Sequence, residues 1–138
     1  MAGEVTPALQ QGSLVRSQDI VQLADQVVLD ANVTAHNTAP VATGGFRHFT
    51  LYLRLKSAST PTDLRIIVQF YDEVRNLWHT YKQGLFASLY YEDQDLATAQ
   101  DEMFSGDCAG RLMRIRLVAT GTTATATFTA SASVEFWT

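Results

Sequence analysis

One cysteine, three prolines and ten basic residues are what this 138-residue sequence has little of. Each scarcity closes a class of explanation. Cys108 has no second cysteine, so no intrachain disulfide and no thiolate-rich zinc site can form, and stability has to come from packing or association. Ten bases against fourteen acids, with a sequence pI near 5.2, supply none of the clustered positive charge that nucleic acid or an anionic membrane requires. No apolar run approaches membrane-spanning length, and the opening MAGEVTPALQQGS lacks the basic start and apolar stretch of a secretory signal. A chain of this length supports one hydrophobic core and leaves little room for a second domain.

What is present is alternation. Residues 1 to about 13 are small, polar and broken by Pro7, and read as a loose N-terminal arm; a single β domain is expected over residues 14–138. Between Leu14 and Val33 the β-branched Val27 and Val28 favour one or two strands. Asn37 to Gly45 is turn-rich, and Gly44 with Gly45 precedes a strand over Phe46 to Lys56. There Phe49, Leu51, Leu53 and Leu55 share one face and Thr50, Tyr52, Arg54 and Lys56 the other. After the turn Ser57 to Asp63, Leu64, Ile66, Val68 and Phe70 alternate again, so the two segments are expected to pair antiparallel. The turn at residues 72–76 then predicts a further strand through Tyr81.

From Arg111, Met113, Ile115 and Leu117 alternate with Arg114 and Arg116. The C-terminal stretch is one long strand, with Ala124, Ala126, Phe128, Ala130, Ala132, Val134 and Phe136 alternating with a Thr and Ser row. Seven or eight closely spaced strands and no long helix argue an all-β, two-sheet antiparallel β-sandwich of jelly-roll type, with an immunoglobulin-like topology as the alternative.

One segment breaks the pattern. Residues 92–107 hold six acids, Glu92, Asp93, Asp95, Asp101, Glu102 and Asp107, and no base, leaving ten bases against eight acids elsewhere. A helical turn and a long decorated loop fit it equally. Carboxylates at Glu92, Asp93 and Asp95 have the chemistry to ligate a hard cation, but their spacing is not that of a calcium-binding loop, and a solvated acidic loop is the plainer reading.

The residues for catalysis are thin. His36, His48 and His79 fall in separate segments without the short spacing of a metal site, and no metal is assigned to them. Cys108, in the context GDCAG, reads as a small half-buried thiol beside a turn. Gly44-Gly45 opens a strand instead of a helix, so no phosphate loop follows. Trp78, Tyr81, Tyr90, Tyr91 and Trp137 are the residue types of a sugar-binding platform, although core and interface packing accounts for most aromatics. No catalytic residue, cofactor site or metal site is expected.

The order of segments supplies a further expectation. GGFRHFTLYLRLKS, ASTPTD, LRIIVQFYDEVRNLWHTY, GRLMRIRLVATG and TTATATFTASASVEF, over about residues 44–136, resemble the β-sandwich virion proteins of tailed bacteriophages, most closely the small capsid decoration or stabilisation type. The acidic segment departs from that pattern. The resemblance implies a non-enzymatic protein on the outside of a phage head, assembled as a trimer, with the major capsid protein as its partner and the N-terminal arm helping to hold the contact. A tail or baseplate module and a carbohydrate-binding sandwich are the competing expectations, and an enzyme the fourth.

Overall fold

The computed structural model describes residues 19–81, 88–92 (backbone path only), 96 and 98–138. The arm expected at residues 1 to about 13 lies outside the described residues, as do Asp93 and Asp95. Among the described residues ten strands follow in order: β1 (Val21–Leu29), β2 (Ala35–Asn37), β3 (Val41–Ala42), β4 (His48–Ala58), β5 (Asp63–Asp72), β6 (Leu77–Thr80), β7 (Ser88–Glu92), β8 (Gln100–Asp107), β9 (Leu112–Thr120) and β10 (Thr127–Trp137). Among the described residues no helix is long and apolar enough to cross a membrane.

The strands form two antiparallel sheets packed face to face. Sheet I runs β1-β10-β4-β8; sheet II runs β2-β9-β5-β6, with β3 continuing β2 along β9 and β7 continuing β6 along β5. Counting each of those interrupted pairs as one strand leaves eight, ordered 1-8-3-6 in one sheet and 2-7-4-5 in the other. This is the order of a jelly roll. It is a long antiparallel ribbon, in which β1 meets β10, β2 meets β9, β4 meets β8 and β5 meets β6, rolled until β10 also pairs with β4 and β9 with β5.

The core follows from the alternation. Phe49, Leu51, Leu53 and Leu55 of β4 are buried against Leu64, Ile66, Val68 and Phe70 of β5 and Met113, Ile115 and Leu117 of β9. β10 contributes Phe128, Ala130, Ala132, Val134 and Phe136, its long side chains flanking two alanines. Burying each large apolar side chain is worth roughly 1.5–3 kcal/mol, which makes this face the main source of stability. Two buried hydroxyls close gaps in the ladders. Thr38 bridges the break between β2 and β3 by accepting the Ile115 N–H at 3.0 Å. Ser57 holds Leu96, accepting its N–H at 2.9 Å on the hydroxyl while the Ser57 N–H donates to the Leu96 carbonyl at 3.0 Å.

Three expectations need correction. β4 and β5 do not pair with each other. β4 is flanked by β10 and β8 in sheet I, β5 by β9 and the β6/β7 edge in sheet II, and the intervening turn crosses between sheets through Ser59 and Thr60, at φ 55° and 47°. Two strands facing across a core and two strands side by side need the same alternation, so the pattern alone does not separate them.

The second half of the acidic segment is neither helical nor a loop. Gln100–Asp107 is a strand paired to β4, at the edge of sheet I among the described residues, where Asp101 and Asp107 stand opposite Arg54 and His48 and remain in contact with water. Cross-strand side-chain pairs of this kind, ionic between Arg54 and Asp101, stabilise a strand that its acid content would otherwise disfavour. Finally, the last strand begins at Thr127. The preceding residues turn on Thr123, whose hydroxyl accepts the Ala126 N–H at 2.9 Å.

Candidate functional site

Alternation places every second residue of each strand on an outer surface, so the candidate residues fall on two faces pointing away from each other. On sheet I, His48 of β4 lies beside Trp137 of β10, their ring centroids 4.5 Å apart and tilted 33°. His48 Nδ1 is 3.0 Å from Asp107 Oδ1 across the β4–β8 pair. The Trp137 indole N–H donates to Thr50 Oγ1 at 2.9 Å, and Thr50 shares a hydrogen bond of 2.9 Å with Ser105. Further along, the Tyr52 hydroxyl donates to Glu135 at 3.2 Å, and Arg54 holds Asp101 through two bonds of 2.7 and 2.9 Å. Partial burial, and then the Glu135 carboxylate, push the Tyr52 phenol above its ordinary pKa. An open groove of about 370 Å³ lies between Tyr52, Arg54, Met103 and the small Ser131 and Ser133.

On sheet II, β5, β6 and β9 build a cationic aromatic cluster. Trp78 packs on Tyr71 with centroids 5.1 Å apart, and the Arg114 guanidinium lies 4.4 Å above the Trp78 ring. Arg114 Nε donates to the buried Gln69 at 2.8 Å, and Arg116 donates to Asn37 at 2.9 Å. A second hollow, about 580 Å³, runs from Tyr71 and Tyr81 past Asp72 and His79 to Ala109. There the Asp72 carboxylate accepts the N–H groups of Val74 and Arg75 and lies 3.0 Å from His79 Nε2.

The three histidines stay apart: His36 on β2, His48 at the start of β4 and His79 on β6. His48 and His79 each meet one aspartate, and among the described residues no group of three His, Cys, Asp or Glu is placed to hold a metal ion. The Glu92 side chain, with Asp93 and Asp95, lies outside the described residues. Burial, and then the neighbouring Asp107, push the Cys108 thiol up to about 11, so at neutral pH it is protonated and a poor nucleophile.

The five aromatics do not converge. Tyr81 is in the core between Phe49 and Phe70, and Trp78 and Trp137 occupy opposite faces of the sandwich. The side chains of Tyr90 and Tyr91, on β7, lie outside the described residues. Sequence reasoning missed the Arg114–Trp78–Gln69 contact, because it joins three strands; the only linear signal was Arg114 alternating outward opposite an aromatic-rich strand. No protein family matches this sequence, and no curated protein matches it.

Proposed function

We propose that this chain is a non-enzymatic structural protein of tailed-phage virions, of the capsid decoration type, which binds the outside of the head through the major capsid protein and clamps neighbouring subunits. The observation that carries this reading is the strand order. The jelly roll is a recurrent architecture of viral capsid domains. One fold hosts many functions, so the order is taken together with the segment pattern over residues 44–136 that resembles phage virion proteins.

The outer faces are consistent with a structural role. On sheet I the polar groups are tied to one another in cross-strand pairs, Arg54 with Asp101, Tyr52 with Glu135 and Thr50 with Ser105, which holds their side chains in place for contact with a large partner. The carbohydrate reading gains little from them. Arg114 already covers one face of the Trp78 ring, and Trp137 spends its N–H on Thr50.

The test is co-sedimentation of the purified chain with purified phage heads that lack it. Saturable binding to heads supports the proposal. Binding to tails or baseplates but not heads would transfer the chain to the competing structural class, and binding to neither would remove the virion reading.

A further inference from the structure

Arg114 and Arg116 stand two residues apart on β9, so both side chains leave the same outer face of sheet II, their roots about 7 Å apart at the ordinary strand rise. Their hydrogen-bond partners are neutral. Arg114 Nε donates to the buried Gln69 and Arg116 Nη1 to Asn37, whereas Arg54, Arg75 and Arg111 each meet a carboxylate. Among the described residues no acid pairs with Arg114 or Arg116. Partial burial, and then the like charge of Arg116, lower the pKa of Arg114, and an added anion would relieve both effects.

Both guanidiniums are held in place by these neighbours. That of Arg114 lies over the Trp78 ring, 4.4 Å from its centre, and Trp78 packs in turn on Tyr71. A guanidinium carries five N–H donors in a planar fork. Gln69 takes the donor on Nε of Arg114, which leaves its terminal Nη1/Nη2 edge, and Asn37 takes one donor on Nη1 of Arg116, which leaves its Nε/Nη2 edge. Each edge can grip a carboxylate through two parallel bonds, and because neighbouring side chains already restrict the rotamers, less entropy is lost on binding.

We propose that the outer face of sheet II docks an extended, acidic segment of a partner protein, Arg114 and Arg116 each gripping one carboxylate from alternate residues of that segment. The spacing favours a strand-like occupant. Alternate side chains of an extended peptide also leave one face about 7 Å apart, so two acids separated by one residue meet both arginines in register. Charge narrows the occupant further: a chain of net charge -4 repels a continuous phosphate backbone, whereas two carboxylates match the two arginines. The site does not depend on the virion reading, since it requires only an acidic segment, whether on a phage head or on another protein.

The experiment is binding of a short dye-labelled peptide of alternating Glu and Thr, its ends blocked, to the full chain, followed by fluorescence anisotropy at about 0.05 M salt. Saturable binding is expected, with a peptide carrying Gln in place of every Glu at least about tenfold weaker. Arg114→Gln and Arg116→Gln are each expected to weaken binding about tenfold or more; Arg116→Gln loses only a bond to the exposed Asn37 and carries the test alone if the Arg114 variant melts early. In the NMR spectrum the peptide moves the indole N–H of Trp78 and leaves that of Trp137, on the opposite face, in place. No binding up to about 1 mM peptide, equal binding of the Gln peptide, binding that ignores both arginine changes, or shifts confined to Trp137 overturns the proposal. Displacement of the peptide by inorganic phosphate at matched ionic strength overturns it in favour of a small-anion site, and displacement by a short DNA duplex in favour of a nucleic-acid face.

Discussion

Gly106 of β8 stands opposite Phe49 of β4 and leaves no room for a side chain: a Cβ there would meet two carbons of the Phe49 ring at 2.9 Å and the Tyr81 ring at 3.4 Å. Phe49 in turn packs on Phe70 and Tyr81, at centroid distances of 6.2 and 6.0 Å, and Phe70 lies 5.5 Å from Tyr81. The Tyr81 hydroxyl accepts the Asp107 N–H at 3.2 Å. One aromatic cluster thus joins the β8 edge of sheet I to β5 and the end of β6 in sheet II. Gly106→Ala overpacks that junction and is expected to lower unfolding free energy by about 1–3 kcal/mol. Urea denaturation checks it; an unchanged midpoint would mean the junction yields freely.

Ser57 is the second fixed point. Its buried hydroxyl is the acceptor for the Leu96 N–H, and Leu96 itself is fully buried. Ser57→Ala strands that N–H away from water, at an expected cost of about 1–3 kcal/mol, with faster hydrogen exchange at the Leu96 amide. Unaltered exchange at Leu96 would show that the Ser57 hydroxyl is not what protects its amide.

Acid is expected to weaken the protein through Asp72. The Arg75 N–H, then His79, hold its carboxyl well below the usual carboxylate range. Asp30 and Asp101 shift the same way, through backbone N–H groups of Val33 and Asn32 and through Arg54 respectively. A carboxylate with a depressed folded pKa contributes stability above its unfolded value of about 3.9 and loses it as pH falls through and below that value. Unfolding midpoints measured between neutral pH and about pH 3 are expected to drop, and Asp72→Asn to flatten the drop. An unchanged slope in the variant would exclude Asp72 as a contributor.

Cys108 is expected to resist alkylation. With its thiol pushed up to about 11, iodoacetamide reacts slowly at pH 8, and the rate climbs only as pH approaches that value. Rapid labelling at pH 8 in the folded protein would contradict the burial that causes the shift.

The fold was legible wherever a strand has one wet face. Phe49 to Leu55, Leu64 to Phe70, Met113 to Leu117 and Phe128 to Phe136 announce their buried sides by period two, and all of them are core. Strand partners were not legible, because Leu53 and Ile66 need an apolar neighbour whether it comes from beside them or from the facing sheet. The strand at residues 100–107 was hidden for a different reason. Its acids mask the alternation of Asp101, Met103, Ser105 and Asp107, and what holds them, Arg54 and His48, lies more than 40 residues away. The surface clusters were the least legible. Trp78 and Trp137 have equal weight in the sequence, yet rolling the ribbon sends them to opposite faces.

The proposed clamping of phage-head subunits by this jelly roll is tested most directly by the temperature at which purified heads release their DNA, with and without saturating added protein. The account predicts a higher release temperature with the protein bound, rising with occupancy. Heads that bind the protein yet open at the same temperature, or heads that do not bind it, would contradict it.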